Sequence, residues 1–213
     1  WSMGDTVTKR PNGFYYAPIP FLGLTRSRNH TIYGFDASEV VGKKSRFYQQ
    51  FVLSGFDLAQ MGFQLGVRFY DLLPNSMLQF EYNKVGGELY TAETPNMSYT
   101  HYNLPMAHPK GQGFNELVIR ANVSIKRVYG ESKTVCYWLK NYNERDLLPM
   151  DNESPSIEDL IIHQQFELGY RINPKINFCL FGRAVLRISD IDPTQMLIHI
   201  GLSTNLFNSY NDY

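Results

Sequence analysis

What this sequence lacks narrows its class first. It has no excess of either charge: 20 Lys and Arg stand against 20 Asp and Glu, and charged residues are only 19% of the chain. Nothing here would track a phosphate backbone, so nucleic acid is disfavoured as a partner. Its two cysteines, Cys136 and Cys179, cannot make the scaffold of a small disulfide-rich secreted domain. One bridge is the most they allow, and they read as inert thiols. No apolar run reaches the roughly 18 residues of a transmembrane helix. Strands remain open as a way across a membrane, because a barrel strand needs only about 9–11 alternating residues. Catalytic fingerprints are missing as well. There is no nucleophile elbow, P-loop or dinucleotide motif, and the isolated Gly111-Gln112-Gly113 carries no such meaning alone. Ser, His and Asp come together nowhere along the chain. The reading is a non-enzymatic protein with no cofactor.

What is present is aromatic side chain and alternation. The 15 Tyr and 14 Phe give ample surface to bury and argue against disorder. The length suits one domain over 1–213. The period is two almost throughout, which signals strands. Met61, Phe63, Leu65, Val67 and Phe69 alternate with Gly62, Gln64, Gly66, Arg68 and Tyr70. After a turn over 71–75, Leu78, Phe80 and Tyr82 oppose Gln79, Glu81 and Asn83. Leu117, Ile119, Ala121, Val123 and Ile125 oppose Glu116, Arg120, Asn122, Ser124 and Lys126, with Val118 on the polar side. Residues 128–139 read as strand without clean faces. Ile162, Gln164, Phe166, Leu168, Tyr170 and Ile172 oppose His163, Gln165, Glu167, Gly169 and Arg171. Ile176, Phe178, Leu180, Ala184, Leu186 and Ile188 then oppose Asn177, Cys179, Arg183 and Arg187. Met196, Ile198, Ile200, Leu202 and Leu206 close the pattern.

The beginning is weaker. Residues 14–19 and 31–36 suit short strands and 46–58 a longer one, while 39–48 allows a helical turn. Two segments read as long loops: 90–113, with Pro95, Pro105 and Pro109, and the acidic 141–159, with Pro149 and Pro155.

Alternation alone fits a soluble sandwich as well as a barrel. The water-facing side of a sandwich tends to be rich in Lys and Glu. Here the polar side mixes Arg, Glu, Gln, Asn, Gly, Ser and His, which suits a lumen where charges pair. The apolar side carries no charge over long alternating runs, as lipid requires. Phe69, Tyr70, Tyr82, Tyr90, Tyr170, Phe207 and Tyr210 lie near strand ends and suit interfacial girdles. The fold expected is all-β, an antiparallel transmembrane outer-membrane β-barrel with about 8–12 strands in this chain, or part of a larger barrel.

Candidate site residues follow from the inward faces. Glu81, Glu116, Arg120, Glu167, Arg171, Arg183 and Arg187 read as a lumen network of mutually neutralising charges. A selectivity site or an anionic-sugar site is the sharper reading of the same set. His101 and His108, seven apart, read as ties that hold a loop inside the lumen. A metal pair completed by Glu116 or Glu93 is the alternative, but the spacing matches no strong zinc pattern, so no metal is expected.

Several segments carry a family resemblance. They are Gln64-Leu65-Gly66-Val67-Arg68-Phe69-Tyr70-Asp71, Leu78-Gln79-Phe80-Glu81-Tyr82-Asn83 and Tyr99-Thr100-His101-Tyr102-Asn103-Leu104-Pro105-Met106-Ala107-His108-Pro109. Gly113-Phe114-Asn115-Glu116, Gly169-Tyr170-Arg171-Ile172-Asn173-Pro174-Lys175 and Gly201-Leu202-Ser203-Thr204-Asn205-Leu206-Phe207-Asn208 complete the set. Together they resemble the C-terminal half of outer-membrane barrels of the Bacteroidota. That family is related to the capsule-assembly Wzi proteins and to a gliding-motility surface barrel. The resemblance implies a place in the bacterial outer membrane, among lipid and lipopolysaccharide. It also implies a role at the cell surface, in capsular polysaccharide assembly or retention or in gliding-like machinery. It makes His101, Tyr102, Asn103, His108 and Pro109 a family-motif loop. An accessory barrel of a larger outer-membrane secretion or assembly complex, and a porin, are the other roles such a chain would suit.

Overall fold

A computed structural model of the chain describes residues 32–90, 100–101, 104–105, 107–108, 110–140 and 158–204. Its elements are β1 (Tyr33–Val41), β2 (Ser45–Leu53), β3 (Met61–Tyr70), β4 (Ser76–Val85), β5 (Thr100–His101), β6 (Leu104–Pro105), β7 (Phe114–Ile125), β8 (Val128–Lys140), β9 (Glu158–Asn173), β10 (Phe178–Ser189) and β11 (Gln195–Ser203). A single 3-10 turn, Leu58–Gln60, precedes β3. Nine strands form one sheet in the order β1-β2-β3-β4-β7-β8-β9-β10-β11, and β5 with β6 makes a separate minimal ladder. Every pairing is antiparallel. The fold is all-β, a barrel-type meander. β1 and β11 are its edges and do not pair with each other, so the described sheet is open.

The connections alternate in length between the two ends of the sheet. At one end lie the tight turns 42–44, 71–75, 126–127 and 174–177. The left-handed backbone they need falls on Gly42, Asp71, Asn75, Lys126 and Asn177, with φ of 67°, 53°, 55°, 54° and 48°. Asp and Asn take that conformation more readily than most residues, and Asp71 Oδ1 accepts the Asn75 N–H at 3.2 Å. At the other end, 54–60 and the long excursion 86–113 join the strands, and 190–194 closes the last hairpin.

Two register rows display the result. One runs Phe47, Val67, Phe80, Ile119, Thr134, Gln164, Leu186, Met196. The neighbouring row runs Tyr48, Gly66, Glu81, Val118, Val135, His163, Arg187, Gln195. The second kind of row faces the side covered by the excursion, where Leu89 and Phe114 are fully buried; we call it the inner face. The first kind faces outward and is exposed: Phe166 is 56% accessible, Leu168 65% and Ile200 82%. Gln79 and Glu116, on the inner face, are only 7% and 5% accessible. Apolar side chains are bare and polar ones covered, the reverse of a soluble domain.

Several sequence expectations need correction. The first strand is Tyr33–Val41, later and longer than 31–36. No helical turn forms over 39–48. Glu39 instead pairs with Phe47 across the turn at Gly42, so cross-strand pairing overrides any local preference. The following strand stops at Leu53, where Ser54 and Gly55 leave the ladder, rather than running to 58. Glu158 and Asp159 belong to β9, not to the loop before it. Ile176 lies in a turn. Residues 128–139 do form a strand, and its faces read poorly because Ser132, Thr134 and Cys136 point outward while Val135 and Leu139 point inward. The strand expected over 14–19, residues 141–157 of the second long loop and the aromatic ending fall outside the described residues.

Candidate functional site

The inner face carries three polar clusters. The first is built on a glycine. Tyr48 of β2 lies flat across Gly66 of β3, where an added Cβ would sit 2.0 Å from its ring. The phenol can therefore cross a whole strand and donate to Glu81 Oε2 on β4 at 2.5 Å. Gln79 donates to both the Tyr48 hydroxyl and Glu81, at 2.9 and 3.1 Å. Arg68 stacks over the Tyr48 ring at 5.0 Å and donates to Gln79 at 3.2 Å. Glu81 is thus satisfied by neutral donors, with Asn83 adding a bond at 2.9 Å.

The second cluster repeats the device. Tyr129 of β8 lies across Gly169 of β9, where a Cβ would come within 2.3 Å of its ring. Its hydroxyl donates to Glu167 at 3.0 Å, and Arg171 sits 5.3 Å from its ring centre. Arg183 of β10 pairs with Glu167 through Nε at 2.7 Å and Nη2 at 2.6 Å. Two charge-assisted contacts from one guanidinium thus converge on a single carboxylate oxygen.

The third cluster lies at the long-loop end, where the excursion folds over the sheet. Leu89 packs on Gly62, and Gln112 Oε1 accepts the Tyr90 N–H at 3.1 Å. His108 stacks on Phe114 with ring centres 4.5 Å apart. Its Nδ1 accepts the Lys110 N–H at 3.1 Å, which leaves the proton on Nε2, 3.7 Å from Glu116 Oε2. Asn83 donates to the same Glu116 oxygen at 2.6 Å, and the Tyr137 hydroxyl also bonds that carboxylate. Lys110 sits 5.3 Å from the Tyr137 ring centre, and His163 meets that ring edge-on at 6.0 Å. A buried carboxylate, an amide, two imidazoles and two aromatic rings thus converge. Glu116 and Phe114 are buried and hold the set together, while the half-buried His108, Lys110, Tyr137 and His163 are its accessible part, with ring faces and donors of the kind that meet polyols.

All seven candidates, Glu81, Glu116, Arg120, Glu167, Arg171, Arg183 and Arg187, lie on the inner face, but they do not form one network. Glu167 and Arg183 meet. Arg120 pairs with Glu131 at 2.8 Å, Arg171 donates to Ser124 at 2.6 Å, and Arg187 reaches Asp192 in the last turn at 2.8 Å. His108 folds against the inner face. The side chain of His101, together with Tyr102, Asn103, Pro109 and Glu93, lies outside the described residues. Among the described residues no three His, Cys, Asp or Glu side chains converge as a metal site. Cys136 and Cys179 are free thiols.

Sequence reasoning missed Tyr48, Tyr129 and Tyr137. A signal for the first two was present: Gln64-Leu65-Gly66-Val67-Arg68 and Glu167-Leu168-Gly169-Tyr170-Arg171 share a Leu-Gly-x-Arg core. A glycine at an inward strand position marks a close approach, here by a neighbour's ring. Trp138, 42% accessible on the outer face near the long-loop end of β8, was missed as well. Comparison of the chain with protein-family models, curated proteins and solved structures finds no match.

Proposed function

We propose that this chain is a non-enzymatic outer-membrane β-barrel acting at the bacterial cell surface, where its long-loop end engages capsular or related polysaccharide. The observation that carries the membrane reading is the inverted polarity of the sheet. Apart from Lys84, next to the long-loop end of β4, the outer face of β2 to β4 and β7 to β11 bears no Asp, Glu, Lys or Arg between strand ends, while the inner face holds the paired charges. Short turns at one end and longer connections at the other match the two sides of such barrels, periplasmic and extracellular. The half-buried His108, Lys110, Tyr137 and His163 around Glu116 support the glycan role because they present rings and hydrogen-bonding groups at the long-loop end. The sequence resemblance to capsule-assembly barrels points the same way.

Two measurements test it. The full chain, refolded into lipid vesicles, is expected to show heat-modifiable migration and resistance of its strands to protease. A chain that stays in the aqueous phase sinks the membrane role. Deleting the gene is expected to release cell-bound polysaccharide into the medium. An unchanged bound fraction removes the glycan role and leaves the barrel.

One observation favours a second reading, an accessory barrel within a larger outer-membrane complex. Nine meandering strands leave β1 and β11 running in the same direction. All-antiparallel closure therefore takes a further strand, from outside the described residues or from a neighbour. Stoichiometric partners retained after mild detergent extraction would favour this role over the stand-alone one.

A further inference from the structure

A trough runs along the described outer face. Phe166 and Leu168 on β9 are each flanked by small residues on both neighbouring strands. Phe166 pairs with Ser132 and Ala184, and Leu168 with Gly130 and Gly182. The large side chains stand as ridges and the small ones leave a groove of about 950 Å³, walled also by Leu78, Ile198 and Ile200. A second hollow, about 620 Å³, continues it toward the tight-turn end and shares Val123, Gly130 and Leu168 with it. This hollow is lined by Ile125, Val128 and Tyr170 and ends at the turn Lys126-Arg127. Both cations are exposed, and neither belongs to an ion pair among the described residues. The turn is held in place: Arg171 N–H donates to the Arg127 carbonyl at 2.7 Å.

We infer that this trough binds one anionic glycerophospholipid, with an acyl chain along the groove and the phosphate at Lys126 and Arg127. The inference rests on the membrane reading above, which puts the tight turns in the leaflet built of glycerophospholipids. An apolar channel that opens onto two cations complements an amphiphile with an anionic head. A zwitterionic lipid fills the same groove but gains little from the cations. A protein neighbour seated there would exclude lipid.

The test counts lipids. The full chain is inserted into vesicles containing equal phosphatidylglycerol and phosphatidylcholine, extracted in mild detergent and weighed by native mass spectrometry. One retained phosphatidylglycerol is expected, favoured over phosphatidylcholine by roughly thirtyfold from two cations at the lipid surface. Lys126→Ser with Arg127→Ser should bring the ratio close to one while a lipid is still retained. Gly182→Leu should remove the retained lipid of either kind. Its added Cβ meets nothing nearer than the His199 carbonyl oxygen at 4.0 Å, so the side chain enters the groove and not the sheet. Gly130→Leu, nearest to Val123 Cγ1 at 3.7 Å, repeats the test from the other side. Equal retention of both lipids by the unaltered chain, or a preference that survives the double substitution, overturns the site and leaves the barrel standing. A chain that never inserts overturns both.

Discussion

The two faces of this sheet are built from the same strands and differ in every physical respect. On the inner face the central charges have designated partners: Glu167 has Arg183 and Tyr129, Arg120 has Glu131, and Glu81 has neutral donors in Tyr48, Gln79 and Asn83. On the outer face there is almost nothing to pair, and large apolar groups stand exposed. Where one face of a sheet meets water, burial of the apolar side drives folding. Here the apolar side is the bare one, so its counterpart must be lipid or another apolar surface. The inner face then carries the specificity of the fold, because only one register satisfies its buried carboxylates.

The sharpest way to break this contrast is to exchange the character of the faces. Arginine at Ile119, Phe166, Leu180 or Ile200 should cost about 2–4 kcal/mol at the bilayer midplane and block insertion. Gln50→Lys, on the inner face opposite Asp36, should insert like the unaltered chain. Heat-modifiable migration after mixing with vesicles reads both. Outer-face arginines that fold normally while Gln50→Lys fails would reverse the assignment of the faces.

A smaller effect is expected within the inner face. Glu167→Gln leaves Arg183 without its fork and weakens the Tyr129 bond, a loss of about 1–3 kcal/mol in a urea titration of the inserted protein. The swap Glu167→Arg with Arg183→Glu should recover more than half of it. A swap no better than the single change would mean that position on the sheet, and not pairing, sets the charges.

The alternation made both faces legible before any coordinates, because period two leaves no freedom about which residues share a side. Glu81, Glu116, Arg120 and Glu167 could be assigned to the inner face from parity alone. Their partners could not. Tyr48 reaches Glu81 across an intervening strand, and that contact depends on Gly66, 18 positions away, having no side chain. Arg187 also turned out to serve the adjacent turn through Asp192 rather than the centre of the face. Parity gives the side of a residue, while register decides its neighbour, and register is a property of strand pairs that a single strand does not carry. Strand β8 was opaque for a related reason. Its outward Ser132 and Thr134 look misplaced until β9 supplies Gln164 beside them.

The excursion over the inner face offers a milder test. His108→Ala removes the imidazole from Phe114 and from Glu116 while leaving every strand ladder intact. The local cost of about 1 kcal/mol should raise tryptic cutting at Lys110 roughly fivefold, with no change in the unfolding midpoint of the sheet. A fall in the global midpoint would instead make the excursion part of the cooperative core.

The smallest effect concerns a polar triad on the largely apolar outer face. Thr134 donates to Gln164 Oε1 at 2.5 Å, and Gln164 Nε2 donates to Ser132 at 3.2 Å. In lipid no water competes for these groups, so the triad persists by satisfying itself. Gln164→Ala strands two hydroxyls and should lower stability by about 1 kcal/mol. Replacing all three together, Ser132→Ala, Thr134→Val and Gln164→Leu, removes every partner at once and should be neutral or slightly stabilising, within about 1 kcal/mol. The sign of the difference separates the environments. Against water, Gln164→Ala is harmless because solvent takes over both hydroxyls, and the triple change merely exposes more apolar surface. A single substitution that destabilises more than the triple one, in the same vesicles, is therefore the pattern expected of a face that never meets water.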